Sequence, residues 1–456
     1  MPAMNHSQLS ARHLADTLSA LAAAPRWWLA YSGGLDSTVL LHLLCEARAL
    51  RPELPPLTAL HINHQLQADA DQWQAHCAAC CADLGVPFVA QSVDVALDGE
   101  GLEAAARRAR HRVFERCVQA GEVLFTAHHQ DDQVETLFLR LLRGAGVAGL
   151  GAMADSRPLG RGLLHRPLLD IARSELEAWA RERGLRWIED PSNADTGLDR
   201  NYLRQRVLPL IAERWPAYRK TVSRAARAQG DAQATLVEAL GPLPELRNDF
   251  GDPGLALVPV LARSDRVAAA LLRQWLARLG LRAPERAALL EFLRQLRDGG
   301  SGEAQLQVDG AVLQQFGVAL YRLPALGATS GEGVKLGPGD SVSMGPQGTL
   351  TLVPAAAGAP GFVLAPGESL TLRFRRGGER CRPVGRGGSC SLKKFLQEQG
   401  VPPWWRSRLP LLLRNGELLA IGDRWYCENE APDEDRDHRG GRWQVRWERN
   451  CPAPAD

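Results

Sequence analysis

The stretch WWLAYSGGLDS, Trp27–Ser37, decides the expected fold, because an apolar run ends in a small glycine-rich turn and a helical pattern follows at once. A strand-to-helix turn offers free N–H groups and the positive end of a helix dipole, which favour a phosphate. Gly33 and Gly34 let the backbone approach such a ligand closely. Asp36 would repel a bare phosphate, so it indicates a bridging Mg²⁺, which binds one or two carboxylates together with phosphate oxygens. The turn therefore fits a metal-bound triphosphate, and a tight turn with an aspartate helix cap is the alternative.

Strand and helix patterns alternate on both sides of this turn. The sequence predicts strands over 26–31, 56–63, 87–95 and 123–128, and helices over 37–50, 69–84, 101–120 and 132–143. This alternation with short loops is typical of an α/β fold with a doubly wound parallel sheet, of the adenine nucleotide alpha hydrolase kind. Ligands bind such sheets beyond the carboxyl ends of the strands, where SGGLDS, HINHQ and AHHQDDQ are expected to lie.

The rest of the chain divides by pattern into three further segments. Residues 216–326 show helical spacing of apolar residues, with a short strand pair near the end, and predict a mainly helical domain. Residues 327–366 are rich in Gly, Pro and Ser and predict a linker with some β structure. Residues 367–448 predict a small, basic α+β domain, so the nucleotide-binding domain is expected to occupy 1–215.

Composition places the chain among ordinary globular proteins. With 456 residues, of which 45% are hydrophobic and 23% charged, two or three domains are expected. No apolar run reaches the roughly 18 residues needed to cross a membrane, and the N-terminus has no secretory signal pattern. Nine cysteines without a disulfide pattern indicate reduced thiols. We therefore expect a cytoplasmic protein with no membrane partner.

A net charge of +2 conceals a basic segment near the C-terminus. Residues 371–426 contain twelve Lys and Arg but only four Asp and Glu. Such a concentration indicates a polyanionic partner, although a solvated basic surface is an equal alternative. Trp404 and Trp405 lie in the same segment, and they could stack on exposed bases or belong to the core.

Further residues in the first domain could carry chemistry. Asp131 and Asp132 begin a predicted helix beside the crevice; they could cap the helix, or bind Mg²⁺ and offer a general base to an attacking amine. Arg107 alone would be a solvated helix residue. The arginines of DRNYLRQR, 199–206, could contact nucleic acid or simply begin a helix.

SGGLDS at 32–37 resembles the SGGxDS signature of the N-type ATP pyrophosphatases, the PP-loop superfamily, which cleave ATP between the α- and β-phosphates and adenylate a substrate. Five further stretches, in order over most of the chain, resemble the tRNA(Ile)-lysidine synthetase family: ALHINHQL (59–66), AHHQDDQVETLFLRLLRGAGVAGL (127–150), HRPLL (165–169), EDPSNADTGLDRNYLR (189–204) and LKKFLQEQGVPPWWRSRLPLLL (392–413). His111 departs from that pattern, which has an aromatic residue, often tyrosine, at this position.

The resemblance implies ATP as a substrate, Mg²⁺, free L-lysine and an isoleucine tRNA with a CAU anticodon. ATP would adenylate C2 of the wobble cytidine, and the lysine amine would then displace AMP to give lysidine. It leaves a homodimer open. The patterns and the resemblance together predict catalytic residues Asp36, Arg107 and Asp132; ATP-binding residues Ser32, Gly33, Gly34, Leu35, Asp36, Ser37 and His61; metal ligands Asp36 and Asp131; and tRNA-binding residues Arg200, Arg204, Arg206, Lys393, Lys394 and Arg406.

Three alternatives remain at this point. A tRNA cytidine thiolase would pair the same turn with iron–sulfur ligands, and Cys77, Cys80 and Cys81 form a C-x-x-C-C cluster, although no companion pair accompanies it. A glutamine-dependent synthetase is disfavoured, since only 31 residues precede the turn. A nucleotide-free RNA-binding relative is disfavoured by the intact SGGLDS and DDQ stretches.

Overall fold

A computed structural model describes residues 9–65, 69–93, 102–298, 304–325, 327–356, 358–428 and 441–449. The chain forms two compact units that divide between Gly241 and Pro242. Within the described ranges, no helix has the length and apolarity that a membrane crossing requires. The predicted end of the third strand (94–95) and the predicted first residue of the third helix (101) lie outside those ranges.

The first unit is a six-stranded sheet covered by helices. Its strands are β1 (Trp27–Ala30), β2 (Leu57–Asn63), β3 (Phe88–Ser92), β4 (Val123–Phe125), β5 (Ser156–Leu159) and β6 (Gly162–His165). Its helices are α1 (Ala11–Leu18), α2 (Leu35–Leu50), α3 (Ala70–Asp83), α4 (Leu102–Cys117), α5 (Gln130–Leu142), α6 (Val147–Leu150), α7 (Arg173–Glu182), α8 (Asp199–Tyr202), α9 (Leu208–Arg214) and α10 (Tyr218–Leu240).

The sheet order is β3-β2-β1-β4-β6-β5. Strands β1 to β4 and β6 pair in parallel, which confirms the predicted parallel sheet between helices. Strand β5 pairs antiparallel with β6, however, so the sheet is mixed and not wholly parallel. A two-residue turn joins β5 to β6, and a connection this short can only reverse the chain, whereas a parallel partner needs a long crossover.

Strand β1 is buried on both faces because helices cover both. Trp27 and Leu29 point into the core formed with α1, α2, α3 and α7, and Trp28 points into the core beneath α4. Both indole N–H groups are satisfied, by the Leu21 carbonyl at 3.3 Å and by Glu122 Oε2 at 2.8 Å. Complete burial of a large apolar side chain contributes roughly 2–3 kcal/mol. The buried apolar run therefore fixes the position of β1, and with it the point at which the glycine turn begins.

The second unit combines helices with antiparallel sheets. Its first sheet, in the order β7-β8-β11-β10-β9, lies in the segment for which helical spacing predicted a mainly helical domain. These strands are only three to six residues long, too short for a clear alternation. Its elements are β7 (Glu245–Arg247), β8 (Pro253–Ala256), α11 (Leu257–Leu261), α12 (Asp265–Arg278), α13 (Arg286–Asp298), β9 (Gln305–Val308), β10 (Ala311–Phe316) and β11 (Ala319–Arg322).

The remainder of the second unit forms two larger sheets and a two-stranded ribbon around one core. The sheet orders are β12-β16-β19-β20-β21, β13-β14-β22-β15 and β17-β18. The elements are β12 (Lys335–Leu336), β13 (Ser341–Ser343), β14 (Thr349–Pro354), β15 (Phe362–Leu364), β16 (Leu370–Arg373), β17 (Arg380–Cys381), β18 (Cys390–Ser391), α14 (Leu392–Glu398), α15 (Pro403–Arg406), β19 (Leu411–Arg414), β20 (Glu417–Ile421), β21 (Trp425–Tyr426) and β22 (Gly441–Glu448).

Trp404 and Trp405 belong to this core and do not stack on solvent-exposed bases. They are 8% and 2% exposed. Both indoles donate to Asp252 Oδ2, at 2.8 and 2.7 Å, and this carboxylate is itself buried. Because a buried indole N–H needs an acceptor, one aspartate from the start of the unit organises two tryptophans more than 150 positions later.

Candidate active site

The glycine turn follows β1 and leads directly into α2. Gly33 has φ +81°, and a Cβ there would lie 2.7 Å from both Cys77 Sγ and Ile188 Cδ1. The Gly33 carbonyl accepts from the Ile188 backbone N–H at 2.9 Å. Only glycine combines this backbone conformation with this close approach. Cys77 is thus a packing residue beneath the turn.

Two serines brace the turn. Ser32 Oγ lies 3.1 Å from Ser37 Oγ and accepts from the Gly34 backbone N–H at 3.3 Å. Ser37 Oγ also accepts from the Ser32 backbone N–H at 3.3 Å and donates to the Gly34 carbonyl at 3.1 Å. Leu35, the first residue of α2, is buried beneath the turn. The hydroxyls therefore hold the backbone in a curved shape at a helix N-terminus, which suits a phosphate group.

His129 links the glycine turn to the start of α5. Its Nε2 lies 3.6 Å from Asp36 Oδ2 and 3.5 Å from Asp132 Oδ2, and its Nδ1 lies 3.8 Å from Asp131 Oδ2. The imidazole is 2% exposed. The sheet thus brings together three acids that the sequence predicted to converge, with the histidine between them.

The environments of the two facing carboxylates differ. Burial raises the pKa of Asp36, and the neighbouring His129 only partly offsets that effect. Burial would also raise the pKa of Asp132, but His129 and Arg200 outweigh it and bring the pKa below its usual value. Asp132 also accepts from the His129 backbone N–H at 3.0 Å, as a helix-capping carboxylate. Asp132 is therefore an ionised group held in a fixed orientation.

Glu135, which sequence reasoning missed, holds the arginines of the DRNYLRQR stretch. It is fully buried and accepts from Arg200 Nε at 2.6 Å and from Arg204 at 2.6 Å (Nε) and 3.0 Å (Nη2). Arg200 also donates to Asp132 at 3.1 Å, whereas Arg206 is exposed. Glu135 lies three residues after Asp132 on one helix, and that spacing is the signal that could have revealed it.

The carboxylates differ in their fitness for a metal. Asp36 Oδ1 is buried and has no hydrogen-bond partner among the described residues, so one oxygen is left for a cation. Asp131, by contrast, accepts from Arg219 Nε at 2.5 Å and from the Arg173 backbone N–H at 2.9 Å. In the part of the chain that the structure describes, no group of three or more His, Cys, Asp or Glu could hold a metal. The residues therefore fit an Mg²⁺ that relies largely on phosphate oxygens and water.

The remaining predicted residues lie at separate places. His61 is buried in β2, and its Nδ1 donates to the Tyr31 carbonyl at 2.9 Å. Arg107 is exposed on α4. In the second unit Lys393 and Lys394 are exposed on α14, and Arg406 Nε donates to the Val401 carbonyl at 2.7 Å.

The fold, the site and three domain profiles together define the class of this protein: an N-terminal PP-loop domain that uses ATP, followed by substrate-binding domains. A PP-loop domain profile matches residues 5–211, a TilS substrate binding domain 255–322, and a TilS substrate C-terminal domain 370–447. The tRNA(Ile)-lysidine synthase of Alkalilimnicola ehrlichii is 44% identical over 93% of this chain and 98% of its own. That of Pseudomonas aeruginosa is 41% identical over 95% and 96%.

The chain therefore belongs to the tRNA(Ile)-lysidine synthase family. These proteins are ligases that use ATP to make lysidine in tRNA(Ile). The comparisons bear out the resemblance recognised in the sequence, so the thiolase and the nucleotide-free alternatives fall away.

Proposed function

We propose that this chain uses ATP to adenylate the wobble cytidine of a CAU-anticodon tRNA(Ile) at C2, through the oxygen on that carbon, and releases pyrophosphate. The amine of free lysine then forms a bond to C2 while the oxygen leaves with AMP. The observation that carries this proposal is the position of His129 Nε2, within 3.6 Å of both Asp36 and Asp132. It places an acid of the nucleotide turn and an acid of α5 in one buried crevice. Adenylation and aminolysis need such an arrangement, since the first activates the oxygen on C2 and the second forms the new bond to C2 itself.

For the nucleotide, we assign the ATP phosphates to the turn at 32–37. Its N–H groups and serine hydroxyls would bind phosphate oxygens. His61 would line the adenine side. The Tyr31 carbonyl can only accept, so His61 carries its proton on Nδ1. Burial lowers the pKa of His61 and keeps it neutral. Its Nε2 is then an acceptor suited to an exocyclic amino group.

For the chemistry, we assign Asp36 as an Mg²⁺ ligand, and the ion would neutralise charge on the phosphates. Asp132 would hold the lysine ammonium in the crevice. It would also accept a proton from that ammonium, because only the deprotonated amine can attack. Arg107 would stabilise negative charge that develops during adenylyl transfer. A direct metal contact by Asp131 would require Arg219 to leave its carboxylate, so we place Asp131 second to Asp36 as a ligand.

For the tRNA, we assign backbone contacts to Arg206, Lys393, Lys394 and Arg406, whereas the pairing of Arg200 and Arg204 with Glu135 favours a role at the reaction centre. We also propose a cytoplasmic location, where tRNA is found. A homodimer remains a proposal that sedimentation of the purified protein would test.

The decisive experiment combines purified protein, ATP with Mg²⁺, radiolabelled lysine and unmodified CAU-anticodon tRNA(Ile). We expect label to enter the tRNA only with ATP, and not when uridine replaces the wobble cytidine. Asp132→Asn should abolish incorporation, while Asp69→Asn, which changes an acid just before α3, should not. Pyrophosphate release without label incorporation would refute lysine as the nucleophile, and no pyrophosphate release would refute adenylation.

A further inference from the structure

Four arginines gather on the β4-β6-β5 side of the sheet, and the proposed reaction uses only one of them. Arg107 lies on α4, Arg140 on α5, Arg157 on β5, and Arg166 directly after β6. Arg107 acts electrostatically on the other three, and Arg166 interacts in the same way with Arg140 and Arg157. We call these four residues the arginine basin.

Neutral groups, and not carboxylates, hold the arginine basin in place. Arg140 Nη1 donates to the Gly149 and Ala152 carbonyls at 2.9 and 2.6 Å. Arg166 Nη1 donates to the Ala154 carbonyl at 2.6 Å. These contacts orient the guanidinium groups without removing their charge, so the basin remains cationic.

Arg157 is held in the same manner by the histidine that departs from the family pattern. Its Nη2 lies 3.1 Å from His111 Nδ1. Burial, helped by Arg157 and Arg107, lowers the pKa of His111 to about 4. His111 is therefore neutral near pH 7 and accepts the arginine's hydrogen bond. A neutral acceptor again leaves the positive charge intact.

The contrast with the neighbouring arginines is clear. Arg200 and Arg204 are ion-paired with Glu135, and Arg219 with Asp131. Within the described residues, no carboxylate forms an ion pair with any member of the basin. Arg166 is only 6% exposed, and its Nε is buried with no hydrogen-bond partner among those residues. Burial with neighbouring arginines lowers its pKa to about 10. Asp155 and Glu115 act electrostatically on Arg166 and Arg157 without forming an ion pair, so positive charge still exceeds negative charge in the basin. Burial of Arg166 among these cations is costly unless an anion completes the site.

The sheet order indicates which anion this is. The glycine turn follows β1, and His61, assigned above to the adenine side, lies on β2. The basin lies on the other side of β1, where β4, β6 and β5 follow in order. Arg166 follows the carboxyl end of β6, and Arg157 lies opposite Leu164, near the same end. The second substrate must approach the crevice from this side, because the nucleotide occupies the other.

We propose that the arginine basin binds a backbone phosphate of the tRNA beside the wobble nucleotide, an inference that rests on the proposed function. Arg140, Arg157 and Arg166 would hold the phosphodiester oxyanion, and Arg107 would stand between it and the ATP phosphates. The wobble cytidine would then be fixed with its C2 facing the nucleotide turn. The basin is thus a positioning site for RNA, distinct from the glycine turn.

The expected effect follows from counterion release. Each phosphate contact with single-stranded nucleic acid contributes about 0.7 to the slope of log K against log salt concentration, or roughly fivefold in affinity at about 0.1 M salt. Arg140→Gln and Arg157→Gln should each weaken tRNA binding by about that factor and lower the slope by about 0.7. Arg183→Gln is the matched control. It removes one charge from a residue that lies over Trp179 and 3.8 Å from Glu46.

Filter binding of full-length tRNA(Ile) to the full chain, over a range of salt concentrations, measures both quantities without requiring catalysis. A tRNA with one methylphosphonate on either side of the wobble nucleotide locates the contact. Wild-type protein should lose affinity for one of these tRNAs, and the Arg157→Gln protein should lose nothing further. Because Arg166 is buried, the Arg166→Gln protein is included only if it keeps the circular dichroism spectrum of the wild-type protein.

Each outcome decides the proposal. If the losses of tRNA affinity from Arg157→Gln and from the methylphosphonate simply add, the proposal is overturned, because the arginine and the phosphate then act independently. Unchanged tRNA affinity with a weakened inhibition by pyrophosphate would also overturn it and assign the basin to the ATP phosphates. If the wild-type protein binds tRNA but makes no lysidine, the proposed function is refuted. The filter-binding measurements still test the arginine basin in that case, because they do not require catalysis.

Discussion

Replacing Gly33 by alanine tests whether the glycine turn is shaped by its neighbours or by backbone conformation alone. The left-handed conformation, φ +81°, costs an L-residue roughly 1–2 kcal/mol. The new Cβ would also lie 2.7 Å from Cys77 Sγ and Ile188 Cδ1. The end of the Ile188 side chain can rotate away, but Cys77 is fully buried in α3. Overpacking of this kind adds about 1–3 kcal/mol, so Gly33→Ala should destabilise the protein by about 2–5 kcal/mol.

The matched control is Gly85→Ala. Gly85 has φ +65°, and a Cβ added there would meet no atom within 4 Å, so it carries the conformational cost without the contact. Urea unfolding gives the difference between the two variants, and steady-state assays give KM for ATP. We expect only Gly33→Ala to raise that KM. Adding Cys77→Ala to Gly33→Ala should restore about 1 kcal/mol by a double-mutant cycle. Equal unfolding free energies for the two glycine variants, with unchanged KM, would refute the steric reasoning.

Three further substitutions test other parts of the structure. Glu135→Gln removes a fully buried carboxylate that pairs with two partly buried arginines, and it should cost about 3 kcal/mol or more in urea unfolding, whereas Glu177→Gln, at an exposed pair, should cost less than about 1 kcal/mol. His111 has a pKa lowered to about 4, so folding stability is lost as pH falls from about 6.5 towards 4. His111→Gln, which keeps an acceptor for Arg157, should flatten this dependence by at most about 1.4 kcal/mol per pH unit in melts at several pH values. Asp252→Ala leaves two buried indole donors unsatisfied and should destabilise the protein by about 2–6 kcal/mol, with a red-shifted tryptophan emission.

Local patterns in the sequence were sufficient for the glycine turn and for the strands that flank it. The apolar run at 27–30, the glycines at 33–34 and the acids at 131–132 each have a signature within a few residues, and the parallel sheet follows from their alternation. Because parallel strands end at one edge, the convergence of Asp36 and Asp132 on one crevice could also be predicted.

What escaped prediction depends on partners that are distant in the chain. Trp404 and Trp405 looked equally suited to stacking on bases or to the core, and only Asp252, more than 150 positions earlier, decides between these. Residues 327–366 have the composition of a linker, yet Leu350 and Phe362 lie in the same core as the tryptophans. Short strands stabilised by such long-range pairing leave no periodic signal of their own.

Arginine content alone could not separate the chemical roles of the guanidinium groups, since fifty arginines occur against four lysines. The partner of each group makes that separation. Arg200 and Arg204 are paired with Glu135 and Asp132 at distances of 2.6 to 3.8 Å, so salt screens these interactions little. Arg157 and Arg166 keep their charge, because a histidine and a carbonyl hold them. Rising salt should therefore raise KM for tRNA while leaving kcat at saturating tRNA nearly unchanged, as measured in the lysine-incorporation assay. A kcat that falls in parallel with tRNA affinity would show that the two sets of arginines do not have separate roles.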